Sequence, residues 1–493
     1  MTNRSRRVAV LGGGITGLSA AFYLLKLAGE RGEAVEVTVL EGSDRLGGRV
    51  NTLRRDGFVI ERGPDSFLGR KLPMIRLAEE LGLIGELTGT NPQAKKTYIS
   101  RDGRLVPMPQ GLVMGVPTDG DKFMQTELVS EEGKRRALQE AELSEAAGTE
   151  LQEGTKSADE PVGTFLERRM GKEMVERVFE PLLAGIHAGD LYKLGLEATF
   201  PQFKRMVEEH GSLIAGTRAA QLAAAAAKEG GAARSQETPE LPASVFLTFK
   251  NGLSTVIEAM EQQIRAAGGE IRLGAKVREL EASASSEGAA YRLHMLDGTV
   301  CEADQVVVTL PAYAAAELLE AHTDVNALSA IRYVSVANVV FGYDAAGFGH
   351  DLDGSGFLVP RGENRLITAS TWTSAKWRHT APENKRLIRC YVGRAGDERG
   401  VELDDEAMIA GVRGDLRDLM GLEATPEFAE ITRLRHSMPQ YPVGHVGAIA
   451  DFRAKLARKL PGVYATGAAF AAVGLPDCVA QGKRAAEEAL LGS

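Results

Sequence analysis

Apolar and polar positions follow one another along the first part of the chain as they do in a βαβ unit. Residues 8–11 are all apolar and predict a buried strand, and residues 18–27 have the composition of a helix. Val35–Leu40 alternates polar and apolar side chains, which is typical of a second strand. This order of elements indicates an α/β fold with a parallel sheet.

Apolar runs in the middle and at the end of the chain extend the pattern. Residues 305–311 predict a fully buried strand, and residues 462–467 predict a strand that runs into a glycine turn. We expect a helix over residues 479–491, after that turn. The predicted parallel sheet therefore draws its strands from three segments that are far apart in sequence.

The intervening residues predict different structures. A β-rich stretch covers residues 334–394, and residues 98–107 predict a hairpin at an Asp-Gly turn. Residues 270–277 predict a strand, and apolar spacing of three and four over residues 161–183 predicts a helix pair. Residues 121–160 show little apolar periodicity, so we interpret them as solvated helix and loop, or as partly disordered.

The uncharged run of residues 8–25, which follows Arg6 and Arg7, has three interpretations. The paired arginines and the apolar run resemble an export signal, but no A-x-A cleavage site follows. A membrane anchor is disfavoured because glycines lie inside the run and destabilise a helix. A strand followed by a nucleotide-binding turn accounts for those glycines. We therefore expect residues 8–27 to stay in the mature chain and to be buried.

Glycines at positions 12, 14 and 17 follow the first strand in the Gly-x-Gly-x-x-Gly spacing of a dinucleotide-binding turn. Gly12 permits the tight turn, Gly14 lets the backbone approach a pyrophosphate, and Gly17 lets the helix pack on the strand. The N-terminus of the helix offers free N–H groups to the phosphates. Glu41 ends the second strand and suits ribose hydroxyls; a surface glutamate is the alternative.

Composition limits the class of protein. The chain has 493 residues, 44% of them apolar and 25% charged, which suits two to four globular domains. A net charge of −9 argues against nucleic-acid binding, which needs a surplus of Lys and Arg. Cys301, Cys390 and Cys478 are far apart, so we expect no metal site and no disulfide framework, and a reducing cytoplasm as the compartment.

A second glycine pair follows in the sequence R-L-G-G-R at residues 45–49. Together with Thr52 and G-F-V-I-E-R-G-P at residues 57–64, this stretch resembles the flavin-binding amine-oxidase and protoporphyrinogen-oxidase superfamily. Residues 63–68 and 473–478 narrow the resemblance to the bacterial oxygen-dependent coproporphyrinogen III and protoporphyrinogen oxidases. Supporting matches at residues 180–186, 198–201, 250–253 and 438–441 extend it over nearly the whole chain.

The resemblance implies FAD rather than NAD as cofactor, bound without a covalent link. It implies that the first glycine turn holds the pyrophosphate, Glu41 the adenosine ribose, and the backbone of Val277 the adenine. An ordinary core valine is the alternative at position 277. The residues implied in FAD contact are Gly12, Gly13, Gly14, Ile15, Thr16, Gly17, Glu41, Gly42, Arg45, Gly48, Arg49, Gly63, Pro64, Asp65, Ser66, Val277, Gly467, Val473, Gly474 and Leu475.

The activity implied by the resemblance is the six-electron oxidation of coproporphyrinogen III to coproporphyrin III in haem biosynthesis. Three hydride transfers to flavin would occur, with O2 as oxidant and H2O2 as product. No catalytic acid–base pair is expected, because aromatisation drives the reaction and the protein mainly orients the ring. Protoporphyrinogen IX oxidation is the first alternative; a flavin amine oxidase and a non-catalytic flavoprotein scaffold are the others.

A flat apolar ring that carries propionates needs apolar walls and cations. The candidate cations are Lys71, Arg70, Lys95 and Lys96, and the candidate walls are Phe67, Ile186 and Trp372. Ordinary surface charges and ordinary core residues are the alternatives. Expected partners are the porphyrinogen and O2, with transient contact to the next haem-pathway enzyme, no nucleic acid, and a monomeric or homodimeric state.

The fold implied is a Rossmann-like FAD-binding domain from residues 1–70, 240–311 and 436–493. An α+β substrate-binding domain would comprise residues 71–116 and 312–435, and a mainly helical subdomain residues 117–239. Before residues 438–441, where superfamily members often have a Trp, this chain has Leu-Arg-His. We therefore expect a flavin contact to differ there.

Overall fold

The structure is a computed structural model that describes residues 5–142, 159–229, 241–283 and 289–491, without the side chains of residues 184 and 227–229. The chain divides into two compact units. The first comprises Met1–Gly89, Leu241–Arg332 and His445–Ser493, and the second comprises Thr90–Glu240 and Tyr333–Gly444.

The strands, numbered in chain order, are β1 Arg6–Leu11, β2 Val35–Leu40, β3 Thr52–Arg55, β4 Phe58–Glu61, β5 Phe67–Leu68, β6 Leu87–Gly89, β7 Lys96–Arg101, β8 Arg104–Pro107, β9 Leu112–Val113, β10 Val116–Pro117, β11 Phe246–Phe249, β12 Glu270–Arg272, β13 Val277–Ala282, β14 Tyr291–Met295, β15 Val300–Ala303, β16 Gln305–Val308, β17 Arg332–Asp344, β18 Gly354–Leu358, β19 Ile367–Thr371, β20 Lys385–Val392, β21 Phe428–Gln440 and β22 Val463–Ala465. The α-helices are Ile15–Arg31, Leu72–Glu80, Gly120–Met124, Glu131–Leu138, Val162–Met170, Lys172–Met174, Gly185–His187, Leu196–Thr199, Pro201–His210, Leu213–Glu229, Ser254–Ala266, Ala312–Leu319, Asn326–Ser329, Thr373–Lys376, Asp405–Met420, His445–Lys459 and Leu475–Leu491, with a π-helix at Val175–Ala184.

A five-stranded parallel sheet in the order β12-β2-β1-β16-β22 forms the centre of the first unit. In the central strand, Val8 pairs with Val37 on one side and with Gln305 on the other. Apolar side chains fill both faces of β1, as is usual in a covered parallel sheet, so residues 8–11 are at most 1% exposed. The α/β fold and its assembly from three distant segments are confirmed.

Helix Ile15–Arg31 packs on this sheet, and its backbone touches that of helix Leu475–Leu491. Helix Ile15–Arg31 packs against helix Leu475–Leu491 at Gly482, where a Cβ atom would come within 2.4 Å of the carbonyl oxygen of Thr16. Leu18, Ala20 and Leu24 are completely buried in the core of this unit. The opening run is therefore a central strand and a core helix. The predicted burial is confirmed for residues 8–24, with Gly12 and Gly14 half-buried, whereas Leu25, Lys26 and Leu27 are only half-buried.

The strand predicted over residues 270–277 is wrong in its bounds. The chain leaves β12 at Arg272 and turns at Gly274, which has φ +68°. Val277 begins β13 instead of ending a strand, and it pairs with Met295 in an antiparallel sheet of β13, β14 and β15. A left-handed glycine breaks the strand, since such a residue does not continue a pleated ladder.

The second unit contains a seven-stranded mixed sheet in the order β21-β17-β20-β19-β18-β7-β8. Strands β7 and β8 form the predicted hairpin, in which Arg101 pairs with Arg104. Helix Asp405–Met420 contributes Met408 and Val412 to the hydrophobic core beside this sheet.

The same unit has a helical part with its own core. Helix Val162–Met170 and the π-helix Val175–Ala184 confirm the predicted helix pair. Phe123, Leu128 and Val129 are at most 2% exposed in this core, so the interpretation of residues 121–142 as solvated is wrong there. The few apolar residues of this segment are buried or half-buried, which sparse periodicity does not reveal. Residues 143–158 lie outside the described residues.

The compact units differ from the three expected domains in their bounds. Helix Leu72–Glu80 places Met74 and Leu77 in the core of the first unit, and β6 pairs with β11 there. Residues 71–89 therefore belong to the first unit. The division into cofactor, substrate and helical domains stays a prediction. Among the described helices, none is both long enough and apolar enough to cross a membrane.

Candidate functional site

The glycine turn of the first unit joins β1 to helix Ile15–Arg31. Gly12 has φ +103°, and Gly14 is the N-cap of the helix, with no side chain accepting from the first N–H groups. The first turn of the helix carries no acidic residue. A helix N-terminus of this kind attracts an anion through its N–H groups and its dipole.

The three glycines of the turn have different surroundings. A Cβ atom on Gly17 would come within 1.9 Å of the carbonyl oxygen of Gly12, so the helix reaches the strand only without a side chain. A Cβ atom on Gly12 would lie 2.9 Å from Oγ1 of Thr309. At Gly14 the nearest atom to such a Cβ is Cα of Gly48, 4.0 Å away. The turn therefore leaves room for a close approach at Gly14.

Glu41 follows β2 and its carboxylate lies beside the glycine turn. The backbone N–H of Gly13 donates to Oε2 over 2.6 Å, and the N–H and hydroxyl of Ser43 donate to Oε1 over 2.8 Å each. These bonds fix the side chain next to the N-terminus of the helix. The position suits the ribose of a dinucleotide whose pyrophosphate lies at the glycine turn.

A second glycine loop packs on the first. The N–H of Gly47 donates to the carbonyl oxygen of Gly13 over 2.8 Å, and Arg45 donates to the carbonyl oxygen of Gly48 over 2.7 Å. Arg45 thus braces the loop in this structure; its contact with phosphate stays a prediction. A Cβ on Gly63 would come within 1.7 Å of the carbonyl oxygen of Arg49, so residues 49 and 63 lie side by side.

The loop between Gly467 and helix Leu475–Leu491 is the third part of the site. Gly467, with φ +116°, donates its N–H to Oε1 of Gln481 over 3.3 Å, and Nε2 of Gln481 donates to the carbonyl oxygen of Ala472 over 3.2 Å. One side chain therefore closes the loop at both ends. Cys478 lies beneath it, and burial raises the pKa of its thiol to about 11.

These features fit a dinucleotide cofactor. The glycine turn, Glu41 and the Gly467 loop follow β1, β2 and β22, whose carboxyl ends meet at one edge of the parallel sheet. Ligands of open α/β sheets bind at that edge. The open approach at Gly14 and the uncapped helix N-terminus are what a pyrophosphate requires.

Other expected cofactor residues lie at the same edge or near it. Ile15 and Thr16 are buried in the first helical turn, and the Oγ atom of Ser66 donates to Oδ1 of Asp65 over 2.7 Å. Val473 and Gly474 lead into the helix that begins at Leu475. The FAD contacts of these residues stay predictions.

The candidate substrate residues of the first unit differ in exposure. Phe67 is 3% exposed and packs against Phe249 with 6.1 Å between ring centroids, so it is a core residue here. Arg70 is exposed. The ammonium of Lys71 is partly exposed and lies 2.8 Å from Oδ1 of Asp477, in the first turn of the C-terminal helix.

The other candidates belong to the second unit. Lys95 and Lys96 are exposed, and Lys96 donates to Oδ2 of Asp353 over 2.6 Å. Ile186 is 50% exposed directly after the π-helix, so a ligand could reach its side chain. Trp372 is 1% exposed in the core of this unit and is not an accessible wall. Its ring packs instead against Tyr98 and His350.

Buried charges lie near the motif at residues 180–186. Oε1 of Glu180 lies 3.5 Å from Nε of Arg361 and 3.9 Å from Nη1 of Arg394. Burial raises the pKa of Glu180, and the two guanidinium groups oppose that shift. His187 is 5% exposed, and burial lowers its pKa to about 4.

Sequence reasoning missed three residues of the first unit. Asp477 lies in the motif at residues 473–478, but its ion pair with Lys71 joins positions that are 406 residues apart. Gln481 and Thr309 hold turns by hydrogen bonds that no local pattern reveals. Thr309 lies inside the strand predicted over residues 305–311, but the observed strand ends at Val308, so that prediction is wrong in its C-terminal bound. The convergence of parallel strand ends at one edge was the signal that could have identified Thr309.

Known proteins resemble the chain over its full length. A family model described as flavin-containing amine oxidoreductase matches residues 15–490. Coproporphyrinogen III oxidase from Bacillus subtilis is 41% identical over 490 residues, 99% of each chain. Protoporphyrinogen oxidase from Bos taurus is 29% identical over 513 residues, 98% of each chain. A crystal structure from Exiguobacterium sp. 255-15 matches with a TM-score of 0.84 and 34% identity, over 99% of this chain and 100% of that one.

Proposed function

Because the chain belongs to the flavin-containing amine oxidoreductase family, we propose that it oxidises coproporphyrinogen III to coproporphyrin III with FAD, in haem biosynthesis. The observation that carries the proposal is the full-length identity of 41% with a relative named coproporphyrinogen III oxidase. The bovine relative named protoporphyrinogen oxidase reaches 29%. Oxidation of protoporphyrinogen IX is therefore the second candidate.

The residues of the first unit would hold the cofactor. The N–H groups of the glycine turn would bind the pyrophosphate, Glu41 the ribose hydroxyls, and the Gly467 loop the flavin end. Bound FAD supplies a two-electron acceptor for the meso carbons of the porphyrinogen. The six-electron oxidation takes three such rounds, and electron balance with O2 then gives three H2O2 for each porphyrin.

We propose that the FAD is bound without a covalent link. A cysteine that joins a flavin must react as a thiolate, and Cys478 is the cysteine nearest the Gly467 loop in sequence. Its thiol is buried with a raised pKa, and it points at the carbonyl oxygens of Ala472 and Val473. This environment disfavours the thiolate.

The chain's own residues bind and orient the macrocycle. The proposed propionate partners are to be found among Lys71, Arg70, Lys95 and Lys96. Lys71 is the preferred one because it closely follows the motif at residues 63–68 and because Asp477 holds its ammonium in place. Ile186 is the proposed apolar contact. No side chain is assigned a proton-transfer step.

We place the protein in the cytoplasm, as a monomer or homodimer that hands its product to the next haem-pathway enzyme. Its three cysteines are all free and buried, which suits a reducing compartment.

Steady-state assays in air test the proposal. Coproporphyrin fluorescence and H2O2 are measured together from coproporphyrinogen III, and again with protoporphyrinogen IX. We expect three H2O2 for each coproporphyrin and a higher kcat/KM for coproporphyrinogen. A higher kcat/KM for protoporphyrinogen would make the second candidate correct, and flavin-loaded protein that oxidises neither substrate would contradict both.

A further inference from the structure

Thr309 lies next to the Gly12–Gly17 turn and the Gly467 loop of the first unit. It follows β16 directly, and its backbone N–H donates to the carbonyl oxygen of Leu11 over 2.9 Å. Its hydroxyl lies 2.8 Å from the same oxygen and 3.3 Å from the carbonyl oxygen of Gly12. One residue from the middle of the chain thus holds the end of β1 and the first residue of the turn.

The hydroxyl of Thr309 also lies where the turn is most tightly packed. Cβ atoms on Gly12 and Gly17 would come within 2.9 and 2.8 Å of Oγ1 of Thr309. The carbonyl oxygen of Gly12, which this hydroxyl meets, is the atom on which Gly17 packs. The side chain of Thr309 therefore fills the space that Gly12 and Gly17 leave. It sets how close the start of the helix lies to the end of β1.

The backbone of Thr309 faces the Gly467 loop. A Cβ atom on Gly467 would lie 3.7 Å from the carbonyl oxygen of Thr309 and 3.8 Å from the side chain of Thr16. Pro311, two residues on, is the N-cap of helix Ala312–Leu319, with φ −54°. The segment is thus held at both ends, and its hydroxyl has a fixed direction.

We propose that Thr309 is the positioning residue of the dinucleotide site: its hydroxyl sets the geometry of the Gly12–Gly17 turn that receives the FAD pyrophosphate. The proposal rests on flavin binding by this site. A backbone cradle binds phosphate well only if its N–H groups are aimed before the ligand arrives, because reorganisation otherwise reduces the affinity.

Two substitutions separate the hydroxyl from the rest of the side chain. Thr309→Ser keeps the hydroxyl, and Thr309→Ala removes it without adding bulk. Thr248, in β11 of the same unit, is also buried, and Thr248→Ala is the matched control for the loss of a buried threonine away from the turn. Apoproteins are titrated with FAD and the dissociation constant is read from flavin fluorescence, with no porphyrinogen present.

We expect Thr309→Ala to raise the dissociation constant for FAD about tenfold, and Thr309→Ser and Thr248→Ala to stay within about threefold of wild type. Equal affinities of the Ser and Ala variants, or an equal rise in Thr248→Ala, would overturn the proposal. If Thr309→Ala does not fold, Thr309→Val replaces it in the same comparison.

The titration distinguishes this proposal from the proposed function. A wild-type protein that binds FAD but leaves coproporphyrinogen unoxidised would contradict the function alone. A wild-type protein that binds no FAD would contradict both.

Discussion

The ammonium group of Lys71 and the carboxylate of Asp477 form an ion pair, with Nζ 2.8 Å from Oδ1, that joins the N-cap of one helix to the first turn of another. The carboxylate is favourably placed there, since its charge meets the positive end of the C-terminal helix. A lysine held in this way is oriented before a substrate carboxylate arrives. We therefore expect Lys71 to contribute to the preference between porphyrinogens that carry four and two propionates.

Lys71→Ala is predicted to raise KM for coproporphyrinogen III about tenfold and KM for protoporphyrinogen IX less. The first substrate has four propionates and the second has two, so the first depends more on cations. Steady-state kinetics on both substrates check this. Asp477→Asn is the control, because it keeps the lysine and removes its partner, and we expect KM to change little or to fall. An equal rise in KM for both substrates would show that Lys71 does not bind a propionate.

Gly17→Ala and Gly14→Ala are predicted to fail in different ways. The methyl group at position 17 meets a carbonyl oxygen at 1.9 Å, so we expect a loss of unfolding free energy of about 3 kcal/mol. At position 14 φ is −73°, and the nearest atom to an added Cβ, apart from the chain neighbours of Gly14, is Cα of Gly48 at 4.0 Å. Stability should therefore change by less than about 1 kcal/mol.

FAD affinity should fall in Gly14→Ala without the loss of stability that is expected for Gly17→Ala. Gly14→Ala keeps the fold but places a methyl group where the pyrophosphate approaches, so we expect FAD binding at least about tenfold weaker. Urea unfolding of the apoproteins and FAD titration separate the two effects. A Gly14→Ala variant with wild-type affinity would show that the pyrophosphate lies elsewhere.

Acid should destabilise the second unit through His187. Burial lowers the pKa of His187 to about 4 in the folded protein, against an ordinary value of 6.5, so only the unfolded state gains a proton between these values. The stabilisation is complete above pH 6.5 and is lost as the pH falls towards 4, by roughly 1 to 3 kcal/mol. His187→Phe should make this part of the stability curve shallower in urea unfolding. Burial also lowers the pKa of His379 to about 4, and this residue makes the same contribution to the pH dependence in the wild type and in the variant.

An unchanged pH dependence in His187→Phe would show that the imidazole is charged or hydrated in the folded state. The ring packs edge-on against Phe200 and Tyr441, so the aromatic replacement suits its surroundings.

The thiols are predicted to be unreactive in the native protein. Cys301, Cys390 and Cys478 are at most 7% exposed, and burial raises the pKa of each. A thiol reagent should label none of them rapidly before denaturation and all three afterwards. Rapid labelling of Cys478 in the holoprotein would contradict the buried position given to it beneath the Gly467 loop.

The sequence reveals the parts of the fold that local physics determines. Buried parallel strands appear as apolar runs, so β1, β16 and β22 could be predicted, and the alternation over Val35–Leu40 predicted β2. The spacing of Gly12, Gly14 and Gly17 predicted the turn. The strand break at Gly274 was missed because only the conformation of that glycine shows it.

Tertiary contacts account for the rest. Lys71 could be named as a cation, but its partner is 406 residues away. Thr309 bonds to Leu11 across 298 residues, and no pattern within one segment shows that contact. The exposure of Ile186 and the burial of Trp372 also depend on the whole unit, because both are simply apolar in sequence.

Anaerobic mixing of the FAD-loaded protein with coproporphyrinogen III tests the central claim most directly. We expect the visible absorbance of oxidised flavin to be lost on mixing, with little porphyrin formed, because one FAD accepts only two of the six electrons. Admission of O2 should restore the absorbance, with formation of H2O2 and the appearance of porphyrin fluorescence. Flavin absorbance that coproporphyrinogen leaves unchanged would contradict it.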